Sequence, residues 1–239
     1  MRRALVTGGA SPIGAAISRA LAAEGMHVCI HAHSGGERAA ALAAEIAASG
    51  GSAEAARFDI TEAAATKAAL ARLLDAGPIQ VLVHNAGTHD DVPFAGMTEA
   101  QWHGVVDVSL TGFYNVANPL MLPMIGTRWG RVIAITSVSA VMGNRGQVAY
   151  AAAKAGLHGA VRALSLESAS RGVTVNAVAP GVIDTAATAG LMKREALAAL
   201  IPMKRAGTPA EVADLVAFLA SDRASYISGQ IISINGGMA

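Results

Sequence analysis

Cysteine is nearly absent from this 239-residue chain; Cys29 is the only one. A single thiol excludes an internal disulfide. Cys29 lies in an apolar run and reads as a small buried hydrophobe rather than a reactive group. Charge is also sparse, at 15% of residues, with a formal net charge of +1. That leaves no basic field for a nucleic-acid backbone. Long apolar runs are missing as well. The first one stops at Thr7-Gly8-Gly9 after about four residues, whereas a signal-peptide core needs about 7–15. Nothing approaches the roughly 20 apolar residues of a membrane span. A cytoplasmic protein without membrane insertion is expected. No Ser/Pro/Gly-rich linker and no fixed-period repeat divides the sequence, so residues 1–239 read as one domain with a sizeable core. No metal site is expected.

What the sequence does have is alternation. Short β-rich runs occur at Arg3–Val6, His27–His31, Ala53–Phe58, Ile79–His84, Gly130–Thr136, Thr174–Ala179 and Ile231–Ile234. Val-Leu-Val at 81–83 and Val-Ile-Ala-Ile at 132–135 lack polar alternation, as strands buried on both faces do. Helical patterns lie between them, at Ala15–Glu24, Glu37–Ser49, Thr61–Leu74 and Tyr150–Ser170. Alternating β and α predicts an α/β fold, a Rossmann-type doubly wound parallel sheet with helices on both faces.

Such a sheet binds its ligand outside the carboxyl ends of its strands. The first strand is followed by "TGGASPIG", Thr7 to Gly14, a glycine loop leading into a helix. The third is followed by Asp59-Ile60, the fourth by "HNAG" at 84–87, the fifth by "SVS" at 137–139 and the sixth by "PGVIDT" at 180–185. Five polar or turn-forming loops in strand order point to one site. In the glycine loop, Pro12 lacks an N–H, but proline suits the first position of a helix. The Ile13 and Gly14 amides stay at the helix N-terminus, where an anion is favoured, and Gly8, Gly9 and Gly14 permit close approach.

"YAAAK" sets Tyr150 and Lys154 four residues apart, on one helix face. A free phenol titrates near pH 10, and a nearby ammonium lowers that value toward a useful acid–base range. Ser137 follows a strand and could hydrogen-bond the same substrate oxygen. Alone, the Tyr–Lys pair would read as an ordinary surface contact; the five loops favour chemistry.

Thr7-Gly8…Gly14, Asn85-Ala86-Gly87, Ser137, Tyr150-x-x-x-Lys154 and Pro180-Gly181 together resemble the short-chain dehydrogenase/reductase family across essentially the whole chain. Within it, "MGNRGQVAYAAAKAG" at 142–156, "ASRGVTVNAVAPG" at 169–181 and "SGQIISINGGM" at 228–238 look most like β-ketoacyl-acyl carrier protein reductases. "PMIG" at 123–126, "VMGNRGQ" at 141–147 and "IPMKR" at 201–205 are similar to a branch serving aryl-polyene or xanthomonadin-type pigments. The resemblance implies reduction of a 3-oxoacyl thioester. Tyr150 would donate a proton, Ser137 would hold the ketone oxygen, and Lys154 would lower the Tyr150 pKa and hold the nicotinamide ribose. Cofactor contacts implied are Gly8, Ser11, Ile13, Gly14, Asp59, Ile60, Asn85, Gly87, Tyr150, Lys154, Pro180, Gly181, Ile183 and Thr185. Asp59 could instead cap the helix near Thr61, and Pro180-Gly181 could be only a turn.

NADPH is the expected cofactor over NADH. No acid follows the second strand until Glu37, so nothing there repels a ribose 2′-phosphate. His33, Ser34 and Arg38 could contact that phosphate, although the family's frequent basic residue in the first loop is Ser11 here. Alternatively, His31 and His33 are solvent-facing strand-end residues. Two further departures are His84, where the family usually has Asn, and Ser109, where a relay asparagine is common. Ser109 keeps a donor and two acceptor sites; Asn115 is not an obvious replacement. By resemblance, Arg128 and Arg171, with Arg131 nearby, would form a basic rim near the pocket that docks acyl carrier protein. Residues 186–206 would form a substrate lid, and a homodimer or homotetramer is implied. Two other readings stay open: a reductase or dehydrogenase of the same family acting on a small free alcohol or ketone, and a non-catalytic nucleotide-binding subunit.

Overall fold

In the computed structural model, which describes residues 1–185 and 194–239, strands and helices alternate as the pattern predicts. The order is β1 (Arg3–Thr7), α1 (Pro12–Ala23), β2 (His27–Ala32), α2 (Gly36–Ala48), β3 (Ser52–Arg57), α3 (Ala63–Asp75), β4 (Val81–His84), α4 (Glu99–Val106), α5 (Gly112–Gly126), β5 (Gly130–Ile135), α6 (Ser139–Met142), α7 (Val148–Ser168), β6 (Val173–Pro180), α8 (Arg194–Leu200), α9 (Pro209–Ala220) and β7 (Ile231–Ile234). Among the described residues, the seven strands form one parallel sheet in the order β3-β2-β1-β4-β5-β6-β7. The chain reverses its direction across the sheet between β1 and β4. A crevice forms there at the carboxyl ends of the strands, because the helices leave on opposite faces.

The twofold period of each strand sorts the core. Ala4, Val6, Val28, Ile30, Val81 and Val83 face α1, α2 and α9. Leu5, Cys29, Leu82, Val132 and Ala134 face α3, α5 and α7. β1, β4, β5 and β6 are buried along their whole lengths, which explains their lack of polar alternation. Cys29 is buried as expected, and burial with the neighbouring Glu54 carboxylate pushes its thiol up to about 12.

Two local features position the site. Residues 14, 17, 18, 21 and 22 form the buried stripe of α1, so its N-terminus is held at the β1 loop. Between α4 and α5, residues Asp107–Thr111 make a π turn that carries Ser109 inward. Among the described residues, no helix is long and apolar enough to cross a membrane. Of the expected lid, residues 186–193 lie outside the described residues; the remainder contains α8 and the buried Ile201.

Candidate active site

The loops after β1, β4, β5 and β6 line one cavity of about 570 Å³. Ser11 caps α1, its hydroxyl accepting from the Gly14 amide at 3.2 Å. The Asn85 amide nitrogen donates at the same loop, 3.0 Å from the Gly8 carbonyl and 3.2 Å from Ser11 Oγ. A Cβ on Gly14 would strike the Gly8 carbonyl, so only glycine fits there. The proline is the first residue of α1, where its missing N–H costs little. One expectation changes: the Gly14 amide is taken by the Ser11 hydroxyl in this structure.

Lys154 lies on the buried face of α7, one turn after Tyr150. Its Nζ donates to the Ile135 carbonyl at 2.8 Å, at the end of β5. Tyr150 and Ser137 line the same cavity. Ser137 Oγ accepts from the Ser139 amide at 3.1 Å, which leaves its hydroxyl hydrogen for the pocket. Behind it, Ser139 Oγ donates to Gln147 Oε1 at 2.8 Å, and Gln147 Nε2 donates to Asp91 Oδ2 at 2.9 Å. His89 Nδ1 meets the other Asp91 oxygen at 3.1 Å, and its ring lies edge-on to Tyr150. The motif reading did not find this chain of bonds, because its members come from separate loops.

Burial dominates the electrostatics of the phenol. Burial holds the Tyr150 phenol above its usual value; the nearby Ser137 hydroxyl lowers it and the Asp91 charge raises it. A lowering by Lys154 is not seen. Its Nζ is 5.9 Å from the ring centroid and committed to the Ile135 carbonyl. Burial brings the Lys154 ammonium itself down to about 8.

A glycine loop at a helix N-terminus and a Ser–Tyr–Lys set in one cavity agree with the comparisons. Residues 8–239 match a family model described as enoyl-(acyl carrier protein) reductase. The chain belongs to the short-chain dehydrogenase/reductase family. It is an oxidoreductase fold with full-length relatives. The chain is 41% identical over 236 residues to a 3-oxoacyl-acyl-carrier-protein reductase of Aggregatibacter actinomycetemcomitans, covering 98% of each chain. It is 41% identical over 238 residues to nodulation protein G of Azospirillum brasilense, covering 98% of this chain and 97% of that one. An acetoacetyl-CoA reductase of Rhizobium meliloti (strain 1021) is 41% identical over 240 residues, covering 99% of this chain and 98% of the relative.

Members of this family use a nicotinamide cofactor, and the residues present fit one. Gly8, at φ 61°, and Gly14 keep the loop open to a close phosphate approach. Ser11, Ile13, Asn85, Gly87, Pro180, Gly181, Ile183 and Thr185 all line the cavity. Asp59 forms a local turn, one oxygen accepting from both the Thr61 amide and hydroxyl. It does not cap α3, which starts at Ala63 after Glu62. Ile60 packs against Gly112, and its carbonyl accepts from Asn115, which therefore serves the core.

At the end of β2, His33 and Ser34 are exposed, as is Arg38. The register adds a residue the sequence reading missed: Arg57, paired with Ala32, donates to the His33 carbonyl at 3.2 Å. His31 is not solvent-facing. It is 2% exposed and accepts from the Gly8 amide. His84 is fully buried. Ser109 is also buried, and its hydroxyl makes no hydrogen bond among the described residues; it faces Gly87.

The expected docking arginines lie apart from the pocket in this chain. Arg128 and Arg171 are exposed and neighbour each other through Gly172, but they precede β5 and β6. They therefore sit at the amino ends of strands whose carboxyl ends hold the pocket. A six-residue strand separates the two ends by about 20 Å. Arg131 is buried, with its guanidinium on the Ser221 carbonyl, and offers nothing to a partner.

Proposed function

We propose that this chain reduces the 3-oxo group of an acyl thioester carried on acyl carrier protein, with NADPH as reductant. The carrying observation is the convergence of Ser137, Tyr150 and Lys154 in a cavity whose wall includes Met142, Val182, Leu200 and Met238. Apolar walls suit an acyl chain. When bound, the reduced nicotinamide supplies a hydride to the ketone carbon. Tyr150, kept protonated at neutral pH by burial, gives its proton to the developing alkoxide. Ser137 donates a hydrogen bond to the same oxygen and fixes the ketone. Lys154 keeps two N–H groups beyond its bond to Ile135, which suit ribose hydroxyls. Two donors aimed at one oxygen favour a ketone over the carbon–carbon double bond of an enoyl substrate.

The preference for NADPH is supported by what surrounds the end of β2. No acid follows β2 in sequence before Glu37, although Asp59 reaches His33 at 3.5 Å, and Arg38 and Arg57 both stand beside the loop, close to Gly35 and Gly36. Docking of a carrier protein at Arg128 and Arg171 stays in the proposal only as a contact at the amino end of the sheet. A cytoplasmic setting and assembly as a dimer or tetramer belong to the same reading.

NADPH oxidation should be measured over carrier-bound 3-oxoacyl substrates of differing length and unsaturation, the matching coenzyme A thioesters, and small free ketones. Turnover on the thioesters, lost in Tyr150→Phe with cofactor binding kept, is the expected result. A preference for polyunsaturated chains would favour the pigment branch. Faster turnover of free ketones than of any thioester would overturn the proposal, and cofactor binding with no turnover would leave a non-catalytic subunit.

A further inference from the structure

Thr7 and Gly8 begin the phosphate loop, and each is held by a buried histidine from a different neighbouring strand. On the β2 side, the Gly8 amide donates to His31 Nδ1 at 3.2 Å. An amide can only donate, so Nδ1 carries no proton. The proton therefore sits on Nε2, which meets the Phe58 carbonyl at 2.9 Å. On the β4 side, Thr7 Oγ1 accepts from the Asn85 and Ala86 amides, both at 3.0 Å. Its lone pairs are then used, so its own hydrogen goes to His84 Nδ1 at 3.2 Å. His84 is left with its proton on Nε2, which donates to the Ser109 carbonyl at 3.0 Å.

Both rings thus have the same tautomer, fixed by their partners, and both nitrogens of each are satisfied. Their faces are packed too: His31 against Phe58, with centroids 4.2 Å apart, and His84 edge-on to Phe113 at 5.5 Å. Neither ring is part of the cavity's described lining. The His84 bond also ends on the π turn that carries Ser109, beside Gly87 and Lys154.

We propose that His31 and His84 are positioning residues: a pair of neutral Nε2–H imidazoles that brace the phosphate loop through Gly8 and Thr7, and tie it through Ser109 to the Lys154 side of the site. Cofactor affinity depends on both rings, and turnover depends on His84 as well. This rests on reading residues 7–14 as the cofactor phosphate loop.

The test uses the full chain, labelled with 15N-histidine, and the variants His31→Gln, His84→Asn and His84→Leu. In the wild type, both rings are expected to show the neutral Nε2–H signature from about pH 5 to 9. His31→Gln and His84→Leu are expected to weaken NADPH binding at least about tenfold in direct titration. His84→Leu should also lower kcat at saturating NADPH by about tenfold or more, whereas His31→Gln acts mainly on the KM for NADPH. The shorter amide of His84→Asn sets its oxygen at the Nδ1 position, where it still accepts from Thr7, and should recover most of the affinity; the longer amide of His31→Gln reaches the Nε2 position instead and loses the Gly8 bond. An Nδ1–H tautomer or an imidazolium at either ring near pH 7 overturns the brace. So does a folded His84→Leu with affinity and kcat within about threefold of wild type. If that variant does not fold, the ring signatures and the two amide variants decide. Wild type that binds NADPH but reduces no thioester would remove the proposed function and leave the brace standing. Unchanged NADPH binding in every variant would do the reverse, and no NADPH binding by the wild type overturns both.

Discussion

A Cβ built on Gly87 would stand 2.8 Å from Lys154 Nζ, with Ser109 Oγ 3.3 Å away. The ammonium is anchored on the Ile135 carbonyl and buried, so it has little room to yield. Gly87→Ala should therefore displace the catalytic-site ammonium while leaving the sheet intact. The expected result is a fall in kcat of about tenfold or more with less than about 1 kcal/mol of lost stability. Unaltered kcat in a folded Gly87→Ala would show that Lys154 tolerates displacement.

Lys154 itself should trade stability for activity. Its folded pKa is brought by burial from 10.5 to about 8. Between those values the unfolded chain binds more protons, so this group makes stability rise with pH across that window. At pH 7 the ammonium is charged in both states, and its burial costs the full amount. Lys154→Met should then stabilise the chain at pH 7 by on the order of a few kcal/mol, while abolishing turnover. The gap in denaturant midpoint between the two proteins should close above about pH 8. A Met variant less stable than wild type at pH 7 would contradict this.

Gln147 links Asp91 to the Ser139 hydroxyl, and Ser139 orients Ser137 from behind. Gln147→Leu breaks both bonds without touching the Ser137 hydroxyl. Turnover should fall about 10–100-fold, as for partners that orient a reacting group, with the KM for NADPH unchanged. Gln147→Glu keeps the reach but puts an acid beside Asp91, and it should not rescue. Full activity in either variant would reduce the network to a structural one.

How much of this was legible in the sequence follows from the range of each interaction. The strands could be read because burial on both faces leaves apolar runs, and Tyr150 with Lys154 because helical spacing is local. The Asp91–Gln147 bond joins residues 56 apart, which only the fold brings together. The π turn at Asp107–Thr111 has no residue pattern that announces it. Two further signals lie in the sequence itself. His31 alternates with Ile30 exactly as Cys29 does with Val28, so its parity already placed it on a buried face. Arg128 and Arg171 stand just before strands, so strand direction alone puts them at the end away from the pocket.

Cofactor choice gives a fourth test. Arg38 and Arg57 flank the loop after β2, and both are exposed. Replacing both with Ala should weaken NADPH by about tenfold or more and leave NADH within about threefold, since only the former offers a 2′-phosphate. The ratio of kcat/KM for the two cofactors is the measurement. Equal losses for both would place the 2′-phosphate elsewhere.

Acid should weaken the fold through the two buried imidazoles. Burial lowers the His84 pKa from 6.5 to about 3, with the Lys154 ammonium adding to the shift and the Ser109 bond opposing it. It lowers His31 to about 4, with His33 adding to the shift and the Phe58 bond and Asp59 opposing it. Both folded values lie below the unfolded value, so the unfolded chain binds more protons in the window between them. Their contribution is therefore complete above about pH 6.5 and is lost as pH falls through about 4 and 3. Each ring can take away up to about 1.4 kcal/mol per pH unit within its window. His84→Asn carries no such proton. It should be less stable than wild type at pH 7, and the gap should narrow steadily between about pH 6.5 and 4. Carboxylates held low, such as Asp59 and Glu54, add acid sensitivity to both proteins alike and cancel in the comparison. Melting curves that stay parallel across that range would mean the His84 ring takes up its proton as readily when folded as when unfolded, and its tautomer would then not be fixed by Thr7 and Ser109.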